Sequence, residues 1–167
     1  MKYLLPILLV LAGCGRGDPP PDNGAVPAAG APGPESARPK GAAPERLTGL
    51  YEGAAGAQKN QLCIVEKGAG AQFGLIVWGG NLHSCSGAGE AVRSGERLTL
   101  RMTGDEACAI DATLKDGTVT LPATLPAGCA YYCGARASLA GARFARTGTS
   151  EADAGKATDI AGDPLCD

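Results

Sequence analysis

Residues 78–90, WGGNLHSCSGAGE, bring together side chains that acid–base and nucleophilic chemistry require. His83 is the single histidine of the 167-residue chain, and Ser84, Ser86 and Ser94 carry the hydroxyl groups that it could activate. A hydrolase of this kind needs the imidazole as base, an acid that orients it and a serine nucleophile. The sequence has no G-x-S-x-G elbow, and neighbouring residues of a strand point to opposite faces. The pattern therefore favours a glycine-rich, disulfide-pinned surface loop with a solvated histidine.

Two other groups of residues could take part in ligand chemistry. Asp105 and Glu106 are paired carboxylates of the kind that glycosidases use, but they fall in a predicted hairpin turn, where polar residues are expected anyway. Tyr131 and Tyr132 could form an aromatic platform for a sugar ring or a peptide, although such tyrosines more often cover a disulfide and the end of a barrel. We assign no catalytic residue and no metal ligand. The candidate binding residues are Trp78, His83, Ser84, Ser86, Glu90, Tyr131 and Tyr132.

The first twenty residues indicate export and anchoring. Lys2 precedes an apolar run at 4–12 that is too short to span a bilayer, which is typical of a secretory signal peptide. The run ends in Leu-Ala-Gly-Cys at 11–14, which resembles the lipobox of bacterial lipoproteins. The resemblance implies cleavage before Cys14, a thioether-linked diacylglyceryl group on its sulfur and acylation of its freed amine. Gly15 at the next position resembles an outer-membrane sorting signal, with the protein facing the periplasm.

The domain boundaries follow from composition. We expect a signal peptide at 1–13, a lipidated cysteine and a disordered Pro/Gly/Ala tether at 14–46, and a globular domain at 47–167. The tether lacks periodic apolar residues and cannot bury enough surface to offset its ordering entropy. Loss of Lys2 with the signal peptide changes the formal net charge from −2 to −3, and no cluster of basic residues predicts nucleic-acid binding.

Six of the seven cysteines remain once Cys14 is assigned to the lipid. An even number in an oxidising compartment predicts three disulfides, and the absence of a C-x-x-C pair argues against structural zinc. Six cysteines allow 15 pairings, among which the sequence does not decide. Our working assignment is Cys63–Cys85, Cys108–Cys129 and Cys133–Cys166.

Alternating apolar residues predict a mostly β fold. The Asp116–Gly117 turn sets Leu114 opposite Val119, and a loop at 104–106 sets Leu100 opposite Ile110, which gives a three-stranded meander at 97–122. Further strands are predicted at 47–51, 62–66, 73–78, 91–93 and 142–146, with the run at 73–78 in a central position because both its faces are apolar. A capping-box start at Ser150 predicts a helix to about residue 161. The fold class is an antiparallel barrel or sandwich of six to eight strands with a short C-terminal helix.

Two resemblances bear on function. Ser86-Gly87-Ala88 resembles the start of the S-G-A-x-Y loop of small lipid-anchored barrel inhibitors of c-type lysozyme, which implies a loop that enters an enzyme cleft. The runs LTGLYEG, FGLIVWGG and GCAYYCGARASLAGARF resemble uncharacterised alphaproteobacterial envelope lipoproteins, which imply no activity. We expect a lipid-anchored envelope protein that serves as a non-catalytic binding or structural module, with a protein or glycan as its candidate ligand and no cofactor beyond the lipid on Cys14. The alternatives are a lysozyme-inhibitor-like barrel and a small periplasmic hydrolase that uses His83.

Overall fold

The computed structural model describes residues 45–104 and 107–166. The signal peptide, Cys14, most of the tether and the Asp105–Glu106 pair lie outside the described residues. The strands are β1 Gly49–Ala55, β2 Gln58–Lys67, β3 Gly70–Trp78, β4 Ser84–Ser94, β5 Arg97–Met102, β6 Ala109–Lys115, β7 Thr118–Thr120 and β8 Arg143–Arg146. The α-helix is α1 Glu151–Ala154, and short 3₁₀ helices lie at Gly80–Leu82 and Ala127–Tyr132.

The eight strands form a closed antiparallel barrel in which each strand pairs with its neighbour in the chain and β8 pairs with β1. This confirms the predicted fold class. The Asp116–Gly117 turn has positive φ at both residues, +49° and +70°, as a two-residue hairpin of this kind requires. It sets Leu114 opposite Val119, and the preceding hairpin sets Leu100 opposite Ile110, both as predicted.

The interior of the barrel is filled by side chains. One face of every strand points inward, so the alternating residues of neighbouring strands meet in a single apolar core. Burying these side chains is the main source of stability for the barrel. The largest fully buried members are Tyr51, Leu62, Ile64, Phe73, Leu75, Leu98, Leu100, Ile110 and Phe144.

A second apolar layer lies outside the barrel wall. Residues 148–166, which we call the C-terminal strap, cross the outer face of β1, β2 and β3. Ala154, Ala157 and Cys166 of the strap pack with Leu50, Cys63 and Val65 of the wall, with the partly buried Leu165 against them. This layer explains why the run at 73–78 is apolar on both faces. As predicted for a central strand, β3 pairs with a neighbour on each side and is buried on both faces, its outer face by the strap.

Two secondary-structure predictions need correction. The expected surface loop at 84–90 is the first part of the eleven-residue strand β4. The expected helix at 150–161 is only the single turn Glu151–Ala154. Its capping box is present, since Asp153 N–H donates to Ser150 Oγ and the Asp153 carboxylate accepts from Ser150 N–H. The chain leaves the helix at Gly155 because Ala157 must reach the wall and accept from Leu165 N–H.

The disulfides join Cys63 to Cys166, Cys85 to Cys133 and Cys108 to Cys129. Only the third of these was assigned correctly. A Cys63–Cys85 bond is impossible because β3 separates β2 from β4, which puts the two strands about 10 Å apart and beyond disulfide reach. The side chains also face opposite ways, Cys63 toward the strap and Cys85 into the barrel core.

We expect Gly74→Ala on β3 to lower the free energy of unfolding by about 1–3 kcal/mol, the usual cost of overpacking. A Cβ at Gly74 would lie 2.3 Å from the carbonyl oxygen of Leu165, so the strap would have to move. Gly70→Ala on the same strand is the matched control, because a Cβ there meets no atom within 4 Å. Denaturant unfolding measures both changes, and equal values would show that the strap does not press on β3.

Candidate functional site

Most of the candidate binding residues lie at one end of the barrel. The chain enters at the opposite end through residues 45–48, and successive strands alternate in direction. The connections at 56–57, at 79–83, between β5 and β6 (of which 103–104 and 107–108 are described) and at 121–142 therefore share the end away from this entry. We call it the distal end. Trp78, His83 and Ser84 lie in or beside the second connection, and Tyr131 and Tyr132 lie in the fourth.

The connection between β7 and β8 caps the distal end. Its 3₁₀ helix carries Cys129, which is bonded to Cys108, and the following Cys133 is bonded to Cys85 of β4. Leu139 is buried in the barrel core, and the partly buried Leu125 packs against it. Two disulfides and an apolar underside thus hold the cap against the ends of the strands, which makes this surface rigid.

His83 is held mainly by its backbone. Its N–H donates to the carbonyl oxygen of Gly80 at 3.2 Å, and its own carbonyl oxygen accepts from Gly79 N–H at 2.7 Å. The imidazole lies against Gly134, where an added Cβ would be 2.9 Å from Nδ1. The ring is half-buried rather than fully solvated as predicted, because the cap packs on one side of it.

The structure does not assemble the components of a Ser–His hydrolase. Within the described residues no hydrogen bond joins the His83 imidazole to a serine or a carboxylate. Glu90 and Ser94 lie six and ten residues beyond Ser84 on β4, about 20 and 33 Å along the strand. Ser84 and Ser86 remain near His83, but no acid of the described chain orients the ring toward them.

Residues 86–88 form part of the barrel wall rather than a projecting loop. Ser86 and Gly87 pair with Ile76 and Leu75 of β3, and Ser86 faces outward. Gly87 faces the core, where an added Cβ would approach Met102 and Tyr132 within about 3.1 Å. A side chain at position 87 would therefore require Met102 and Tyr132 to shift slightly. The three residues do not project as the inhibitor loop would.

The two tyrosines have different roles. Tyr132 is half-buried against the core and donates from its hydroxyl to the carbonyl oxygen of Thr103 at 3.1 Å, so it covers the barrel end. Tyr131 is 79% exposed and meets Tyr132 edge to face, with ring centroids 5.4 Å apart. Of these two tyrosines, Tyr131 is the one that offers an exposed aromatic surface to a ligand.

The tip of the β3–β4 connection combines exposure with backbone strain. Asn81 and Leu82 both adopt positive φ, 55° and 60°, and the Leu82 side chain is 71% exposed. Left-handed backbone is common for asparagine but costs roughly 1–2 kcal/mol for other L-residues. Strain of this kind is concentrated at functional sites. No sequence signal marks Leu82, because leucine has no preference for this conformation.

A cleft of about 700 Å³ opens beside the distal end, between the strap and the start of β2. Trp78 contributes one wall and Ile160, which is 73% exposed, belongs to the other. The rest of the lining comes from Ala57, Gln58, Lys59, Gln61 and the turn at 158–162. Sequence reasoning found Trp78 but missed Ile160 and the two glutamines, because they come together only when the strap folds back onto the barrel.

The comparisons with known proteins find no matching family model, curated protein or solved structure. Within residues 45–104 and 107–166, His, Cys, Asp and Glu side chains form no group of three suited to a metal ion. No helix in this part of the chain has the length and apolar character needed to cross a membrane.

Proposed function

We propose that this protein is a lipid-anchored cell-envelope module that binds a protein or glycan at the distal end of its barrel and catalyses no reaction. The observation that carries this proposal is the filled interior, where side chains such as Phe73, Leu100 and Phe144 are fully buried. A barrel packed in this way leaves no space for a ligand inside. We therefore assign ligand recognition to the outer surface, where the distal end carries the exposed side chains of Leu82 and Tyr131.

The anchor is proposed from the lipobox, with the lipids on Cys14 as the only non-protein group. The three disulfides support an oxidising compartment outside the cytoplasm. Residues 45–48 enter the barrel at the end opposite the distal end. The point at which the proposed tether joins the barrel is therefore separate from the proposed binding surface. We place the protein at the outer membrane, facing the periplasm.

Metabolic labelling with palmitate tests the anchor. We expect the wild-type chain to incorporate label and to fractionate with membranes, since two or three acyl chains hold a protein firmly. Cys14→Ser is expected to lose the label and to leave the membrane fraction. Ser36→Ala in the same tether is the control and should retain both properties. Unlabelled wild-type protein would overturn the proposed anchor.

The two alternative functions depend on different residues. A lysozyme-inhibitor-like barrel is favoured by the closed barrel itself and should lose inhibition on Ser86→Ala. A periplasmic hydrolase should lose activity on His83→Ala, because each candidate serine nucleophile depends on that base. Our proposal expects neither substitution to impair growth under envelope stress in a strain that depends on the protein. Impairment by one of them alone would favour the corresponding alternative.

A further inference from the structure

We infer that the cleft between Trp78 and Ile160 binds the sugar rings of an uncharged glycan. This inference deepens the proposed function and rests on it. It starts from the position of Trp78, the single tryptophan of the chain, which lies half-exposed at the end of β3 instead of filling the core. An indole face carries partial negative charge, to which the weakly positive C–H groups of a pyranose ring are attracted.

The wall that carries Trp78 is rigid. Asn60 is one of the few buried polar residues, and its side-chain oxygen accepts from the backbone N–H of Trp78 at 2.8 Å. Trp78 also pairs with Ser84 across the β3–β4 hairpin. Both contacts fix the backbone of Trp78, so binding at this wall requires no ordering of the main chain.

The opposite wall of the cleft, which carries Ile160, is also held in a fixed conformation. Residues 158–164 form a turn in which one carboxylate oxygen of Asp159 accepts from the backbone N–H groups of Ala161 and Asp163, at 2.8 and 3.0 Å. Thr158 pairs with Pro164 across this turn, and the Cys63–Cys166 disulfide follows two residues later. The exposed Ile160 is therefore held beside the cleft by the strap and is not part of a mobile end.

The polar side chains that line the cleft can form hydrogen bonds with the hydroxyl groups of a sugar. Within the described chain, the Trp78 indole N–H, the Gln58 amide and the Thr158 hydroxyl have no protein partner. Gln61 uses its side-chain oxygen to accept from Thr158 N–H at 3.3 Å, which leaves its amide hydrogens available. These groups offer both donors and acceptors, as a ligand rich in hydroxyls requires.

Other ligand classes fit this cleft less well. Lys59, the cation of the cleft lining, is 3.1 Å from Glu52 in an ion pair, so an anionic ligand would meet no uncompensated positive charge. The barrel is closed, so its sheet offers no free edge to which a peptide strand could add. The cleft volume of about 700 Å³ lies within the range of small-molecule sites and has room for a short oligosaccharide.

Trp78 fluorescence tests the inference directly, because it is the only indole in the protein. The full chain in detergent micelles is titrated with the tetramer of N-acetylglucosamine, with cellotetraose, and with an uncharged tetrapeptide. We expect a saturable change with at least one sugar and none with the peptide. Calorimetry on Trp78→Ala should then show at least a tenfold loss of affinity, and on Gln58→Ala a loss of about fivefold.

The controls separate this inference from the function on which it rests. Val92→Ala removes an exposed apolar side chain on the outer face of β4, outside the cleft lining, and should leave sugar affinity unchanged. Gln58 is exposed, so its variant reports on binding without a risk to folding. No saturable response to either sugar, or saturation by the peptide alone, would overturn the glycan assignment. Failure of the proposed anchor would appear instead as absent palmitate label.

Discussion

Replacing Cys63 and Cys166 by alanine is expected to lower the free energy of unfolding by about 4–5 kcal/mol. The disulfide closes a loop with a sequence separation of 103, and removal of a bond that closes a loop of about 100 residues costs roughly 4.7 kcal/mol in the chain-entropy model. The bond also holds the strap over the outer layer around Leu50 and Val65. We therefore expect faster amide exchange in the strap than in the barrel strands.

The Cys108→Ala/Cys129→Ala variant is the matched control. Its disulfide spans only 21 residues, so the same model predicts a loss about 1.4 kcal/mol smaller. Denaturant unfolding of both double variants gives the two free energies. A loss for Cys63–Cys166 no greater than that for Cys108–Cys129 would contradict the view that the long loop and the strap dominate stability.

Arg146→Ala should lower the free energy of unfolding by about 2–4 kcal/mol, the second-largest effect that we expect. The Arg146 side chain is only 13% exposed and pairs with Glu45 at 2.6 Å. It donates to the carbonyl oxygens of Arg46 and Thr48, and its guanidinium carbon lies 5.1 Å from the centroid of the Tyr51 ring. Its loss would remove the charged contacts that hold residues 45–48 beside the barrel end opposite the distal end.

Arg143→Ala provides the comparison for Arg146. It is on the same strand, β8, but it is exposed and makes no side-chain contact of these kinds. We expect a change within about 0.5 kcal/mol, as for most surface substitutions. Burial raises the pKa of the Tyr51 hydroxyl, and the positive charge of Arg146 opposes that rise. The Tyr51 pKa should therefore rise further in Arg146→Ala, which ultraviolet titration measures.

The parts of the fold that could be predicted are those that depend on nearby residues. The Asp116–Gly117 turn fixes its own backbone geometry, and the apolar faces of β5, β6 and β7 agree with the register that the turn imposes. The capping box at Ser150 and Asp153 was recognised for the same reason. In each case the preferences of a few neighbouring residues and the apolar pattern around them predict the same local structure.

The strand predicted at 91–93 lies within β4, but residues 84–90 of β4 were not recognised as strand because the glycines there serve close packing. Gly87 and Gly89 face inward, where an added Cβ at Gly89 would lie 1.9 Å from the carbonyl oxygen of Arg101. Met102 and Tyr132 crowd the space above Gly87. Glycine serves close packing at both positions, although glycine in a sequence is usually typical of a turn or loop.

The disulfide pairing and the cleft depend on contacts between distant parts of the chain. Cys63 and Ile160 belong to the outer layer, which exists only when the strap folds back across the barrel wall. No period or motif in the strap predicts that contact. Cys166 predicted that a disulfide holds the strap. Its bonding partner could not be identified, because the choice depends on Cys63 lying on the outer face of β2.

Peptide mapping of the native protein by mass spectrometry, without reduction, tests the central claim most directly. We expect the chain to begin at a diacylated or triacylated Cys14 and to contain the three disulfides Cys63–Cys166, Cys85–Cys133 and Cys108–Cys129. An intact N-terminus at Met1 with an unmodified Cys14, or free thiols in place of these bonds, would contradict the account of an anchored and cross-linked envelope barrel.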